Sequence, residues 1–363
     1  MVVPDYGGAC VSGVVPALLG RHRGSPPWLP PGLAGADQVV VLVLDGLGWL
    51  QLQERRTLAP TLAAMAGGPI TTVAPSTTAT ALTSLSTGMA PAEHGLLGYR
   101  MRVHSGQVLN VLRWTTASGD ARRTVAPEAL QAAAPFGGTR PPVVTKADFQ
   151  ATGFSAAHLA GVRMCGWRTV STIAVHVRRL LAAGEPFVYA YYPGIDTVAH
   201  EYGFGPFFDA EVNAADHLVA DLVATLPSGA ALAVVADHGQ VDVGERVLSL
   251  PPDLVRLTKL LSGEGRFRWL HARPGAAERL RVLAEERFGE VAWVRTRDEA
   301  AAEGWFGGPL APEVAARLGD VVLAARDPVA FDDPADTGPM ALVCRHGSLT
   351  AEEMLVPLLV ATG

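Results

Sequence analysis

Hydrophobic residues fall along this chain in short, dense blocks separated by amphipathic stretches. Val39-Val40-Val41-Leu42-Val43-Leu44 is a continuous apolar run, rich in β-branched residues, that stops at Asp45-Gly46. A run of this kind predicts a strand buried on both faces of a sheet. A helical stretch with Leu50, Leu52, Leu58 and Leu62 as apolar anchors follows. The pattern recurs at Phe187–Tyr192, which stops at Pro193-Gly194, and at Ala231–Ala236, which stops at Asp237-His238-Gly239. Residues 210–226 between them carry helical spacing. Strands alternating with helices predict an α/β three-layer sandwich around a mostly parallel sheet.

Two stretches depart from the alternation. Residues 97–160 hold prolines, glycines and short strand-like pieces such as Val108–Leu112, and are expected to form an insertion near the site. Residues 262–335 combine Phe267-Arg268-Trp269-Leu270, a helix near 276–287 and a strand at 291–294, which suggests a smaller α+β subregion. Neither is bounded by a linker, so residues 1–363 are expected to form one catalytic domain. Residues 1–36 have the Pro and Gly content of an irregular lead-in.

Composition narrows the function classes. A chain of 363 residues with 49% hydrophobic content can bury a large core. A net charge of −6 offers no basic face, so a nucleic-acid polymer is not an expected partner. Three scattered cysteines form neither a disulfide framework nor a thiolate metal site. With no basic, apolar leader at the N-terminus and no bilayer-length apolar run, the expectation is a cytoplasmic protein without a membrane contact. Oligomeric state is open.

The chemistry collects at strand ends, where functional groups gather in such sheets. Asp45 ends one predicted strand and Asp237-His238 another. Asp196 and His200 follow Phe187–Tyr192 at i,i+4 spacing, which puts both on one helix face. His346 follows a short apolar run. Each has a bland reading: Asp-Gly is a common turn, and an i,i+4 Asp/His pair is commonly a solvated face. Together, three aspartates and three histidines without thiolate are a ligand supply for two zinc-like ions. Pro75-Ser76-Thr77-Thr78-Ala79-Thr80 offers hydroxyls where a helix begins, and a helix N-terminus favours an oxyanion. Spacing alone does not choose among Ser76, Thr77, Thr78 and Thr80.

These motifs, with Ser86-Thr87-Gly88-Met89-Ala90-Pro91-Ala92-Glu93-His94-Gly95 and Arg345-His346-Gly347-Ser348, resemble the type I nucleotide pyrophosphatase/phosphodiesterase family of the alkaline phosphatase superfamily. They occur in the family's order over roughly residues 39–350. The resemblance implies an alkaline-phosphatase-like sandwich and a two-metal phosphate ester hydrolase. It implies Asp45, Asp237, His238 and Thr78 as ligands of one divalent ion and Asp196, His200 and His346 as ligands of the other. Zinc is the expected metal, with manganese the alternative. Thr78, third after Pro75, is implied as the nucleophile that forms a phospho-threonine intermediate. His94 is expected to be structural. Ala81 stands where the resemblance places an asparagine that holds a phosphoryl oxygen, so a donor is expected elsewhere.

The expected substrate is a small phosphate ester or nucleotide. Thr80, Tyr99 and Arg102 are candidate contacts. Tyr99, Trp114 and Phe154 are candidates to stack on a base. Arg100, Arg102, Arg163 and Arg345 would supply the charge a monoester dianion needs. Phosphomonoester or phosphonate hydrolysis on the same site, and a non-catalytic member of the fold, are the competing readings. Cys165-Gly166-Trp167-Arg168 does not match a sulfatase motif, and no room exists between Gly88 and Asp196 for a mutase-type phosphate-transfer domain.

Overall fold

A computed structural model describes residues 1–20, 25–104, 106–336 and 342–363. Seven strands make the central sheet: β1 (Gln38–Leu44), β2 (Ala66–Thr71), β3 (Pro142–Lys146), β4 (Arg163–Trp167), β5 (Phe187–Tyr192), β6 (Ala230–Val235) and β7 (Leu355–Thr362). Their spatial order is β2-β7-β6-β1-β5-β3-β4. The block from β6 to β4 is parallel throughout. β7 runs antiparallel to both of its neighbours, so the sheet is mixed. The fold is the α/β sandwich expected, with one reversed strand that the hydrophobic pattern did not signal.

The three strongest apolar runs form the middle of the sheet. Every residue of Val39–Leu44, Phe187–Tyr192 and Ala230–Val235 is buried, which requires cover on both faces. Helix Pro206–Val223 turns Phe208, Val212, Ala215, Leu218, Val219 and Leu222 inward, the stripe of an amphipathic helix. Helix Ser171–Ala182 does the same with Ile173, Val177 and Leu181.

The register decides what meets at the sheet's carboxyl edge. Val43 lies opposite Val235 and Leu44 opposite Tyr192. Two residues beyond the first pair, Asp45 and Asp237 therefore emerge side by side. The Asp45 N–H donates to the Tyr192 carbonyl at 3.0 Å, and the Asp196 N–H to the Asp45 carbonyl at 3.0 Å, which draws the start of helix Gly194–Tyr202 against the end of β1.

The stretch 97–160 divides in two. Arg100–Arg102, Val108–Asn110, Thr115–Thr116 and Gly119–Asp120 form a small antiparallel meander. Pro142–Lys146, in contrast, is β3 of the central sheet, so this part is not an insertion. Its apolar run is only two valines long between a proline and a threonine, too short for a distinct strand signal. Further along, Thr258–Gly263, Phe267–Ala272, Val321–Ala325 and Ala292–Thr296 form an antiparallel sheet. Helix Ala277–Phe288 shares a separate core with it through Leu280, Ala284 and Phe288.

Candidate active site

Two sets of ligand-type side chains meet at the carboxyl edge of the sheet. In the first, His238 Nε2 lies 3.4 Å from Asp45 Oδ1 and 3.5 Å from Asp237 Oδ2. All three residues are buried. In the second, Asp196 Oδ1 lies 3.3 Å from His200 Nε2 and 3.8 Å from His346 Nε2. The His238 and His346 rings stack at 3.6 Å, so the sets adjoin and His238 stands between them.

Three features show that these groups fit a cation. Asp45 Oδ1 and Asp237 Oδ2 are buried and accept no hydrogen bond. A buried carboxylate oxygen without a partner is costly unless a positive charge faces it. Burial first, and then the neighbouring Asp237 and Asp196 carboxylates, hold the Asp45 carboxyl well above the usual range; burial also raises Asp237. The third feature is the imidazole orientation. His238 Nδ1 contacts the Gly239 carbonyl at 3.0 Å, His200 Nδ1 the Cys344 carbonyl at 2.7 Å, and His346 Nδ1 the Ser76 carbonyl at 2.9 Å. A carbonyl only accepts, so each Nδ1 carries a proton there and each ring turns its Nε2 inward, toward the carboxylates. Burial and the flanking His238 and His200 push His346 well below the ordinary histidine value, which keeps it neutral.

The hydroxyls of the turn from Pro75 to Thr80 sort by their partners. Ser76 Oγ donates to the Ser348 carbonyl at 2.6 Å, and Thr77 Oγ1 to Glu264 Oε2 at 2.9 Å. Thr80 Oγ1 is buried without a partner among the described residues and borders neither of the two cavities over the ligand-type groups. Thr78 Oγ1 lies 3.1 Å from His238 Nε2 and borders the cavities on both sides of the ligand sets. Thr78 begins helix Thr78–Thr87, which ends at a left-handed Gly88. Ala81 is fully buried in the main core.

Two cavities open on this centre. One, of about 530 Å³, has Asp45 and Thr78 at its base and Leu112, Phe149, Phe154 and Leu159 in its wall. The other, of about 320 Å³, is polar and is bordered by Thr78, His200, His346, Glu264, Arg268 and Arg345. Phe154 stacks on His158 at 3.9 Å in the wall of the first. Tyr99 borders the second, its hydroxyl bound by Asn110 Nδ2 at 2.7 Å.

Several candidates fall elsewhere. Arg102 borders a separate small cavity with Leu130 and Arg317 and is not part of the site. Arg163 begins β4 at the opposite, amino end of the parallel strands and pairs with Glu185 at 2.6 Å. Arg100 is held by Asp333 at 3.1 Å and Asp336 at 3.3 Å. Trp114 is fully buried, with its indole N–H on the Val125 carbonyl, and has no free face for a base. His94 is structural: Ser84 Oγ lies 2.8 Å from its Nε2, and burial pushes it down to about 3.

Other groups escaped the sequence reading. Tyr191 donates its hydroxyl to Asp45 Oδ2, and Gln240 Nε2 donates to Asp196 Oδ1 at 2.6 Å. The signal for both was position: Tyr191 is a polar group at a strand end, and Gln240 follows His238 by two residues. Glu264, from the turn after Thr258–Gly263, also accepts the Tyr99 N–H at 2.6 Å, and burial pushes its carboxyl up to about 7.

The profile of the type I phosphodiesterase/nucleotide pyrophosphatase family matches residues 39–349, a span that includes both sets of ligand-type side chains and the turn from Pro75 to Thr80. The chain belongs to this family. It is a phosphoric ester hydrolase by that membership. No curated protein matches the chain in sequence. Among solved structures, murine ectonucleotide pyrophosphatase/phosphodiesterase 5 is 15% identical, with 88% of this chain and 87% of that one covered at a TM-score of 0.65. The phosphonoacetate hydrolase of Sinorhizobium meliloti 1021, in complex with phosphonoacetate, is 20% identical, with 90% of each chain covered at a TM-score of 0.66. An inactive threonine-to-alanine variant of the murine protein, in complex with AMP, is 14% identical, with 89% and 87% covered at 0.64. At these identities the solved structures speak to the fold.

Proposed function

We propose that this chain is a two-metal phosphodiesterase of the nucleotide pyrophosphatase type, with Thr78 as nucleophile. The observation that carries the proposal is the pair of unpartnered buried oxygens on Asp45 and Asp237, gathered round His238 Nε2 beside Thr78 Oγ1. Asp45, Asp237, His238 and Thr78 would hold one divalent ion, and Asp196, His200 and His346 the other. The donor set of imidazole and carboxylate suits zinc and accepts manganese. When bound, such ions supply a Lewis acid for the phosphate charge and a lowered pKa for a ligated hydroxyl. The protein's own contribution is alignment. Thr78 Oγ1 attacks phosphorus in line to give a phospho-threonine, with the leaving oxygen on the side of His200 and His346. Water then releases Thr78.

The 530 Å³ cavity suits the organic group of a diester or nucleotide, since most of its wall is apolar or aromatic. An AMP complex of a relative inactivated at a threonine is in keeping with both the substrate class and the nucleophile. We read the chain as one catalytic domain. The free thiols of Cys10, Cys165 and Cys344 agree with a reducing, cytoplasmic setting. Among the described residues no helix is long and apolar enough to cross a membrane.

The test is metal analysis of the purified protein beside turnover of bis-p-nitrophenyl phosphate and p-nitrophenyl phosphate. About two ions per chain and a diester preference are expected. Thr78→Ala should lose at least about 1000-fold in kcat, since a nucleophile leaves only binding and charge stabilisation behind. Retention of full activity by Thr78→Ala with normal metal content would remove the nucleophile assignment. A monoester preference would change the substrate class.

A further inference from the structure

A third cavity, of about 590 Å³, lies between the small meander and strand Thr258–Gly263. It shares Tyr99, Arg113, Asp333 and Asp336 with the polar cavity over His200 and His346. Arg113 also borders the apolar cavity over Asp45 and Thr78. This one side chain therefore stands where all three cavities meet.

The backbone holds Arg113 in that place from both sides. On one side its N–H donates to Asn110 Oδ1 at 3.0 Å. On the other, Trp114 has a φ of 56°, a left-handed conformation that a bulky side chain rarely adopts without compensation. The compensation is visible. Trp114 is fully buried, its indole N–H reaches the Val125 carbonyl at 2.7 Å, and its ring packs on Gly153 with no room for a Cβ there. Anchoring the tryptophan inward leaves its neighbour Arg113 exposed at the junction.

The charge of the cavity points to what it takes. Its border holds three cations, Arg100, Arg113 and Lys259, and two carboxylates, Asp333 and Asp336. Both carboxylates are already paired, Asp333 with Arg100 and Arg268 and Asp336 with Arg100. Among the described residues, neither Arg113 nor Lys259 has a carboxylate at ion-pairing distance. Asn110, Thr115 and Thr116 add neutral hydrogen-bonding groups. A guanidinium and an ammonium without a carboxylate partner, bordering one cavity, suit a carboxylate or a phosphate.

We propose that this cavity receives the leaving portion of the substrate, and that Arg113 and Lys259 select leaving groups carrying an additional carboxylate or phosphate. The assignment of sides rests on the phosphodiesterase reading above, in which in-line attack by Thr78 sends the leaving oxygen toward His200 and His346. Arg113 then acts as a specificity-determining residue.

Three substrates with a common phenylphosphoryl part separate the possibilities: phenyl 4-nitrophenyl phosphate, phenyl 4-carboxyphenyl phosphate and phenyl diphosphate. Their leaving portions carry no further anion, a carboxylate and a phosphate. We would measure kcat/KM for the metal-loaded protein, Arg113→Ala, Arg113→Lys and Lys259→Ala. Calorimetric Kd would be measured for the same esters on metal-loaded Thr78→Ala, with and without Arg113→Ala. Arg113→Ala should weaken use and binding of an anionic ester by about 10- to 100-fold, as loss of a charge-assisted hydrogen bond does, with less than about 3-fold change for the nitrophenyl ester. Arg113→Lys should recover part of the loss. Whichever anionic ester shows the larger effect identifies the source of the anion. Equal losses on all three esters, or none on any, would overturn the proposal. Turnover without this discrimination leaves the phosphodiesterase reading standing and removes the subsite. Discrimination in Kd without turnover of any ester does the reverse.

Discussion

Replacement of Glu264 by glutamine changes the pH dependence of stability in a way that follows from the burial of one carboxyl. Glu264 is 5% exposed and accepts from Thr77 Oγ1 and the Tyr99 N–H. Burial raises its carboxyl from 4.5 to about 7, against the lowering effect of those two bonds and of Arg268. An acid raised in the folded state binds more protons folded than unfolded between those two values. Its stability contribution is therefore fully present below pH 4.5 and declines as pH rises through 7. The loss is 2.5 pKa units at 1.36 kcal/mol each, or about 3 kcal/mol once the group is fully ionised. Glutamine keeps the shape and an acceptor for Tyr99 but never ionises. The measurement is chemical denaturation of wild type and Glu264→Gln at half-unit steps from pH 4.5 to pH 8.5. Subtracting the two curves removes every other titrating group. The difference should move in favour of the variant by up to about 3 kcal/mol between pH 5 and pH 8. Two parallel curves would refute the reasoning, and so would a shift in the opposite direction.

Two further predictions concern the ligand sets. Gly46 has a φ of +76°, and a Cβ there would lie 2.9 Å from Asp196 Cα and 2.8 Å from Gln240 Nε2. Gly46→Ala should cost about 2–4 kcal/mol from the left-handed backbone and the overpacking combined, and should lower metal content by displacing Asp196; a variant that melts with wild type and keeps its full metal content contradicts this. Tyr191→Phe removes the hydroxyl donated to Asp45 Oδ2. It should weaken metal retention against a chelator about 10- to 100-fold with little loss of fold, and unchanged retention would show that the hydroxyl does not orient Asp45.

The middle of the fold was legible because its strands are buried on both faces and read as unbroken apolar runs. The edges were not. β4 contains Cys165-Gly166-Trp167 and is only partly buried, so it carries neither a continuous nor an alternating pattern. β7 is interrupted by Pro357, whose missing N–H would argue against an interior strand, yet it lies between β6 and β2. At the site, the ligand types and their strand-end positions could be named from spacing. The choice among four neighbouring hydroxyls could not, because it depends on distant partners such as Ser348 and Glu264. Arg113 was invisible for a related reason. Its surroundings come from three segments far apart in the chain, while Arg102 and Arg163 stood nearer to motifs in sequence than in space.

The three imidazoles are all oriented by main-chain carbonyls, of Gly239, Cys344 and Ser76. No side-chain substitution at those positions deletes a carbonyl. The orientation of the histidines is therefore insulated from sequence drift so long as the backbone path survives. Wall side chains such as Leu112 and Phe149 are no part of those three hydrogen bonds. Exchange of such a side chain alters the shape of a cavity without removing a bond that orients an imidazole.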